Sequence, residues 1–151
     1  MKRVFSSFFA LAVSATLVFV ATSSNHGVTA VHAQGGCSVA TLTGNYGIVL
    51  TGAGAPGHSV KGKNTFPYAA VGVITFDGTG NFSQTYTIVF NGVASAASDV
   101  GTYTVNSDCS GTLTDTTINI HANLSIVGGG SEVFGIITDR GFTDTFDVKK
   151  Q

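Results

Sequence analysis

Hydrophobic and polar residues alternate with a period of two from residue 40 onward, interrupted by short glycine-rich polar segments. Successive side chains of a β-strand point to opposite faces, so this period is typical of strands with one buried face. The clearest alternation runs over residues 118–126, with isoleucine, alanine and leucine at even positions and asparagine, histidine and serine at odd ones. The pattern predicts eight strands, at residues 42–50, 69–76, 82–90, 93–105, 112–115, 118–126, 132–138 and 142–148, with a bulge near residues 98–101 of the fourth.

Short turn sequences separate most of these strands. Asn91-Gly92 is the strongest two-residue hairpin signal, and residues 77–80 supply glycines where a tight turn needs positive φ. Strands joined by short turns pair antiparallel, and closing the sheet into a barrel removes both of its edges. The sequence therefore predicts an all-β fold, a single eight-stranded antiparallel up-and-down barrel, with a two-sheet β-sandwich as the alternative.

The connection at residues 52–67 is too long for a simple hairpin, and it contains Pro56, His58, Lys61 and Lys63. Connections of this length tend to be either functional or disordered. In a barrel this connection lies at one end. There we expect either a lid over an anionic or polar ligand or an ordinary glycine-rich surface loop.

The first 33 residues have the organisation of a secretory signal peptide. Two basic residues precede an apolar segment at 8–20, and Val31-His32-Ala33 suits a signal peptidase cleavage site. The apolar segment is shorter than the roughly 20 residues of a membrane anchor. The sequence predicts a signal peptide at 1–33, with cleavage after Ser23 as the alternative, and a secreted domain at 34–151. This domain is expected in the periplasm or outside the cell, without stable membrane insertion.

Charge and cysteine content narrow the class of protein further. Residues 34–151 include five basic and eight acidic residues, a net charge of −3. No nucleic-acid partner is expected, because there is no basic stripe to displace phosphate counterions. Cys37 and Cys109 both follow the predicted signal peptide, and an even pair of cysteines in an oxidising compartment predicts one disulfide.

The histidines give only weak signals for a site. His58 and His121 lack metal-site spacing, and with both cysteines in a disulfide neither a metal nor a cofactor is expected. His121 lies on the polar face of its strand. We expect this face to point outward, because the isoleucine and leucine face needs burial. An inward orientation would instead place His121 in a cavity, where it could take part in acid–base chemistry.

The aspartates are interpreted mainly as turn and edge residues. Three of them occur in turns, where a carboxylate binds nearby backbone amides. Asp144 and Asp147 are three positions apart and therefore face opposite sides of a strand. Asp99 and Asp115 are compatible with the interior, but nothing in the sequence marks either as a general acid or base.

Three segments carry a resemblance to known proteins: residues 37–47 (CSVATLTGNYG), 75–81 (TFDGTGN) and 101–111 (GTYTVNSDCSG). They resemble segments of small uncharacterised secreted bacterial β-barrel proteins. The predicted architecture is also similar to calycin/lipocalin-like and allene-oxide-cyclase-like barrels. These motifs are turns and strands, so the resemblance implies a fold and not an activity.

Three functions are compatible with such a barrel. The first is a binding module for a small apolar ligand, with His58 in the long connection and a cavity lined by Tyr46, Ile74, Tyr86, Phe90, Phe134 and Phe146. The second is a structural or interaction protein with a packed interior. The third is a cyclase- or isomerase-type enzyme, for which Tyr86 and His121 are the candidate catalytic residues.

Overall fold

The computed structural model describes residues 36–54 and 66–151. The predicted signal peptide with both of its cleavage sites therefore lies outside the described residues. The same holds for His58 and for most of the long connection that was predicted as a lid or surface loop. Within the described residues, no helix is long and apolar enough to cross a membrane.

Eight antiparallel strands form a closed barrel in which each strand pairs with its neighbours in sequence and the last pairs with the first. A single turn of 3₁₀ helix, Val39–Thr41, precedes the first strand. The predicted up-and-down barrel is confirmed, and the two-sheet sandwich is excluded. The strands are β1 Thr43–Gly54, β2 Phe66–Asp77, β3 Asn81–Phe90, β4 Val93–Val105, β5 Ser110–Asp115, β6 Ile120–Val127, β7 Glu132–Ile137 and β8 Thr145–Lys150.

β1 and β2 are longer than predicted, since their pairing continues as far as Gly54 opposite Phe66. β6 begins two residues late, because Ile118 lies in a turn in which Asn119 has a φ of 55°. The predicted hairpin at Asn91-Gly92 is confirmed, with φ values of 48° and 79°.

The predicted bulge at residues 98–101 is wrong. The pairing of β3 with β4 runs without interruption from Asn81 opposite Thr102 to Phe90 opposite Val93. The false signal has a simple cause: Asp99 is buried on the inner face, whereas Val100 is 55% exposed on the outer face. A polar residue that faces inward next to an apolar residue that faces outward reverses the expected hydrophobic pattern, and this reversal was interpreted as a bulge.

One end of the barrel is filled by aromatic side chains, and we call it the plugged end. The ring of Phe76 packs edge-on against Tyr46 and Tyr103, with centroids 5.3 and 5.0 Å away. The Tyr46 hydroxyl donates a hydrogen bond to the carbonyl of Gly130 at 2.7 Å. The Tyr103 hydroxyl lies 2.9 Å from the carbonyl of Leu42 and accepts a hydrogen bond from the backbone amide of Gly78. Both phenols therefore have partners, as buried hydroxyl groups require.

The disulfide between Cys37 and Cys109 lies at the same end, and its prediction is confirmed. It ties the segment before the 3₁₀ turn to the turn between β4 and β5, across a sequence separation of 72 residues. In the chain-entropy model, closing a loop of this length stabilises the fold by about 4 kcal/mol.

Candidate functional site

The other half of the barrel interior contains a cavity of about 220 Å³. It lies toward the end where Phe66 begins β2 and Phe90 ends β3, which we call the cavity end. Most of its wall is aliphatic or aromatic. The apolar lining residues are Ile48, Leu50, Ala70, Ile74, Ile88, Phe90, Leu113, Ile118, Ile120, Ala122, Ile137, Phe142 and Phe146, and the polar ones are Tyr68, Gln84, Tyr86 and Asp115.

Four of the predicted lining residues, Ile74, Tyr86, Phe90 and Phe146, lie on the wall of this cavity. Tyr46 does not. It faces inward as expected, but it is fully buried within the aromatic packing of the plugged end.

Phe134, which was predicted to line the cavity, does not face inward: it lies on the outer face and is 43% exposed. Its neighbour Gly135 takes the inward position. A Cβ atom on Gly135 would lie 2.0 Å from the ring of Phe146, so the glycine leaves the space that this ring fills.

His121 lies on the outer face of β6, with its side chain 47% exposed. Its Nδ1 atom is 3.0 Å from Oδ1 of Asp139, and its backbone amide donates a hydrogen bond to the same carboxylate. The outward orientation preferred from the sequence is confirmed. His121 is therefore separated from the cavity by the barrel wall.

Two buried aspartates meet at the cavity wall through Gln84 and Tyr86. The Tyr86 hydroxyl donates a hydrogen bond of 2.5 Å to Oδ2 of Asp99. The Gln84 amide donates to Oδ2 of Asp115 at 3.2 Å and to Oδ2 of Asp99 at 3.4 Å. Gly72 makes room for Tyr86, its partner across β2 and β3, because a Cβ atom on Gly72 would lie 2.6 Å from both Cα and Cβ of Tyr86.

Asp115 is held in place by its own turn. Its Oδ1 atom accepts hydrogen bonds from the backbone amides of Thr117 and Ile118, at 2.9 and 3.2 Å. Burial raises the pKa of the Asp115 carboxyl, and the neighbouring Asp99 carboxyl raises it further. Burial also raises the pKa of Tyr86, and its hydrogen bond to Asp99 adds to this shift.

A second phenol–carboxylate pair joins Tyr68 to Asp144, which immediately precedes β8. The Tyr68 hydroxyl donates a hydrogen bond to Oδ2 of Asp144. The Asp144 carboxylate fills the space over Gly52, where a Cβ atom would lie 1.9 Å from Oδ1. Asp144 is 1% exposed, and burial raises its pKa. Burial likewise raises the pKa of Tyr68, and the hydrogen bond to Asp144 contributes in the same direction.

The interior is therefore acidic within its apolar surroundings. Asp99, Asp115 and Asp144 are the buried charged residues, whereas every basic residue of the described chain is exposed. Such an interior can accept hydrogen bonds or bind a cation, and its carboxyl groups can exchange protons near an apolar ligand. In the same described part, no three histidine, cysteine or acidic side chains converge as metal ligands.

Sequence reasoning missed Gln84, Tyr68 and Asp144 as residues of the interior. Their signal was available in the alternation, since Gln84 has the parity of Phe82 and Tyr86 on β3, and Tyr68 that of Ile74 on β2. The polar character of Gln84 hid this position, because inward positions were identified by their hydrophobicity. The prediction that Asp144 and Asp147 face opposite sides is confirmed, since Asp144 is buried and Asp147 is exposed.

A second depression, on the outer face of β2, β3 and β4, is larger but shallow. It is lined by strand-surface residues such as Val71, Thr85 and Ala96 and is widely open to solvent. It offers no enclosure, so the interior cavity is the better candidate for a small-molecule site.

Comparison of the chain with protein families, curated proteins and solved structures finds no match. The function is therefore inferred from the geometry of the cavity and from the chemistry of its wall.

Proposed function

We propose that the protein is a secreted binding module that holds one small, largely apolar ligand inside the barrel. The observation that carries the proposal is the interior cavity of about 220 Å³ with its mostly aliphatic and aromatic wall. Eight-stranded barrels have room for one small ligand, as in the lipocalin-like barrels that this chain resembles in architecture. By proportion to an engineered cavity of 150 Å³ that binds benzene, a ligand of roughly nine non-hydrogen atoms fits.

Export from the cytoplasm is part of this proposal. The signal-peptide pattern at residues 1–33 supports it, and so does the disulfide between Cys37 and Cys109. Disulfides of this kind persist in oxidising compartments and are rare in the cytosol.

The packed structural barrel is less well supported, because aromatic packing fills only one half of the interior. An enzyme of the cyclase or isomerase type is the second candidate function. The observation in its favour is that Tyr86 and Asp115 place ionisable groups on the wall of an otherwise apolar cavity. Recovery of a chemically altered probe after incubation would favour this candidate over simple binding.

Two adjacent alanines of β2 provide a matched test. Ala70 lines the cavity, whereas Ala69 is exposed on the outer face. We expect phenethyl alcohol to bind the unmodified protein in NMR titrations, with shifts concentrated in the inward residues of β2, β3 and β6. Ala70→Phe should abolish these shifts by filling the cavity, and Ala69→Phe should leave them unchanged. Equal effects of the two variants would contradict binding in the cavity.

Native mass spectrometry of the protein purified from its own host tests the same proposal without a chosen probe. We expect a mass excess over the polypeptide, beyond the two hydrogens lost to the disulfide, that disappears on denaturation. Such an excess in the Ala70→Phe protein would show that the co-purified molecule binds elsewhere.

A further inference from the structure

The wall of the cavity combines apolar surface with carboxylates that have no basic partner among residues 36–54 and 66–151. Asp115 lines the cavity and is 3% exposed, and Asp99 stands directly behind Gln84 and Tyr86 at 5% exposure. The basic residues of the described part of the chain, Arg140, Lys149 and Lys150, are all exposed and do not neutralise this pair. Burying acidic groups without a counter-charge is costly, and proteins reduce this cost by protonating the group or by pairing it with a cation.

Asp144 supplies an independent observation on the same interior. Its Oδ1 atom is buried and accepts no hydrogen bond of normal geometry, although the nearby backbone amides of Ala53 and Thr143 favour its charged form. The carboxylate occupies the inner face over Gly52, and its other oxygen is bound by Tyr68, a residue of the cavity wall. Because burying a carboxylate without a donor or a counter-charge is costly, a cation in the neighbouring cavity would stabilise Asp144.

The aromatic residues near these acids fit the same kind of ligand. Tyr68 and Phe90 lie with ring centroids 6.0 Å apart, and both line the cavity. Aromatic faces attract cations as well as apolar groups. The described residues of the cavity thus offer apolar contact for a hydrocarbon body and acceptors for a positively charged donor, and none of them offers a positive group for an anion.

We propose that the ligand is a small hydrophobic amine, bound as its ammonium ion by the interior carboxylates, with its apolar part against the aliphatic and aromatic wall. This inference rests on the proposed binding function and specifies the chemical class of the ligand. Asp115 contacts the ammonium group from the cavity wall, and Asp144, bound to Tyr68 of the same wall, adds a second interior carboxylate nearby.

Three probes of matched shape test the proposal on the unmodified, disulfide-bonded protein: phenethylamine, phenethyl alcohol and phenylacetate. They share an aromatic body and differ in the charge of the polar end. We expect the amine to bind about tenfold or more tightly than the alcohol, because charge-assisted hydrogen bonds are about twice as strong as neutral ones. The anion should bind most weakly. Isothermal titration calorimetry gives the three affinities.

Asp115→Asn and Asp144→Asn locate the interaction, with Asp147→Asn on the exposed outer face as the matched control. At least one interior variant should lower the amine affinity toward that of the alcohol without changing the alcohol affinity. The control should change neither. Urea denaturation and near-UV circular dichroism show whether each variant keeps the native fold. The ranking on the unmodified protein remains decisive if an interior variant does not fold.

The outcomes separate the two proposals. Equal affinities of amine and alcohol, or tighter binding of the anion, would overturn the amine inference while leaving the binding function intact. Failure of all three probes to bind, including the alcohol, would count against the cavity as a binding site and so against both. An amine preference that survives in both interior variants would also overturn the proposal, since the preference would then arise on another surface.

Discussion

Replacement of Gly135 by alanine tests whether the cavity wall is built on glycine–aromatic contacts. Gly135 faces inward on β7 opposite Phe146 of β8, and a Cβ atom there would lie 2.0, 2.3 and 2.5 Å from three atoms of the Phe146 ring. Carbon atoms in contact are separated by about 3.5–4.0 Å, so the ring must move by at least about 1.5 Å. The ring is rigid and only 6% exposed, so it moves as a whole.

The expected cost follows from this displacement. Overpacking of a well-packed core costs about 1–3 kcal/mol, and replacing a strand glycine by alanine returns about 0.5–1 kcal/mol through the unfolded chain. We therefore expect Gly135→Ala to lower the free energy of unfolding by about 1–2 kcal/mol. Because Phe146 also lines the cavity, we expect weaker binding of phenethyl alcohol as well.

Gly47→Ala is the matched control. Gly47 lies on the outer side of β1, where a Cβ atom would meet its nearest neighbours at 3.8 and 3.9 Å, an ordinary contact distance. This variant should be as stable as the unmodified protein or slightly more stable. Urea denaturation followed by tyrosine fluorescence compares the two. If Gly135→Ala matched Gly47→Ala in both midpoint and probe affinity, the ring would not be packed on the glycine as described.

Three further predictions concern the stability of the barrel. Replacing Cys37 and Cys109 together by serine should lower the free energy of unfolding by about 4 kcal/mol in urea titrations, and an unchanged midpoint would show that the disulfide contributes nothing. Tyr103→Phe should cost about 1–3 kcal/mol in thermal or urea denaturation, because it leaves buried backbone partners without their hydrogen bonds. Since burial raises the pKa of Asp115 and Asp144 above the ordinary value of 3.8, the folded state binds more protons than the unfolded state. Their contribution to stability is therefore fully present below about pH 3.8 and is lost as pH rises through the raised folded pKa values. Asp115→Asn removes one of these groups, so the denaturation midpoint of this variant should fall less steeply with rising pH. An unaltered slope would contradict the raised pKa of Asp115.

Strand positions and barrel closure were predictable because the period-two alternation is strong and the turn residues are specific. Asn91-Gly92 is an example in which the residue types determine the turn, since both residues adopt positive φ. The extension of β1 and β2 to Gly54 and Phe66 was not predictable in the same way. Glycine, alanine and proline in these segments carry little hydrophobic pattern, and their strand conformation depends on pairing with the neighbouring strand.

The site was predictable only in part, and the errors have one physical origin. Inward positions were assigned by hydrophobicity, so Phe134 was placed inside and Gly135 was not considered. In the folded barrel, the ring of Phe146 on β8 fills the space over Gly135 on β7. This contact forms only when β7 and β8 pair in the closed barrel, so the sequence pattern does not reveal it. The buried Asp144 was missed for the same reason, because its hydrogen-bond partner Tyr68 comes from another strand.

The positions of the two ends of the described barrel determine where a tag, linker or solid support can be attached. Cys37 is bonded to the turn between β4 and β5, and the backbone amide of Gln151 donates a hydrogen bond to the carbonyl of Asn45 at the start of β1. Both ends of the described barrel therefore leave it at the plugged end. A tag, linker or solid support joined beside Cys37 or Gln151 therefore lies at the plugged end, about one barrel length from the cavity end.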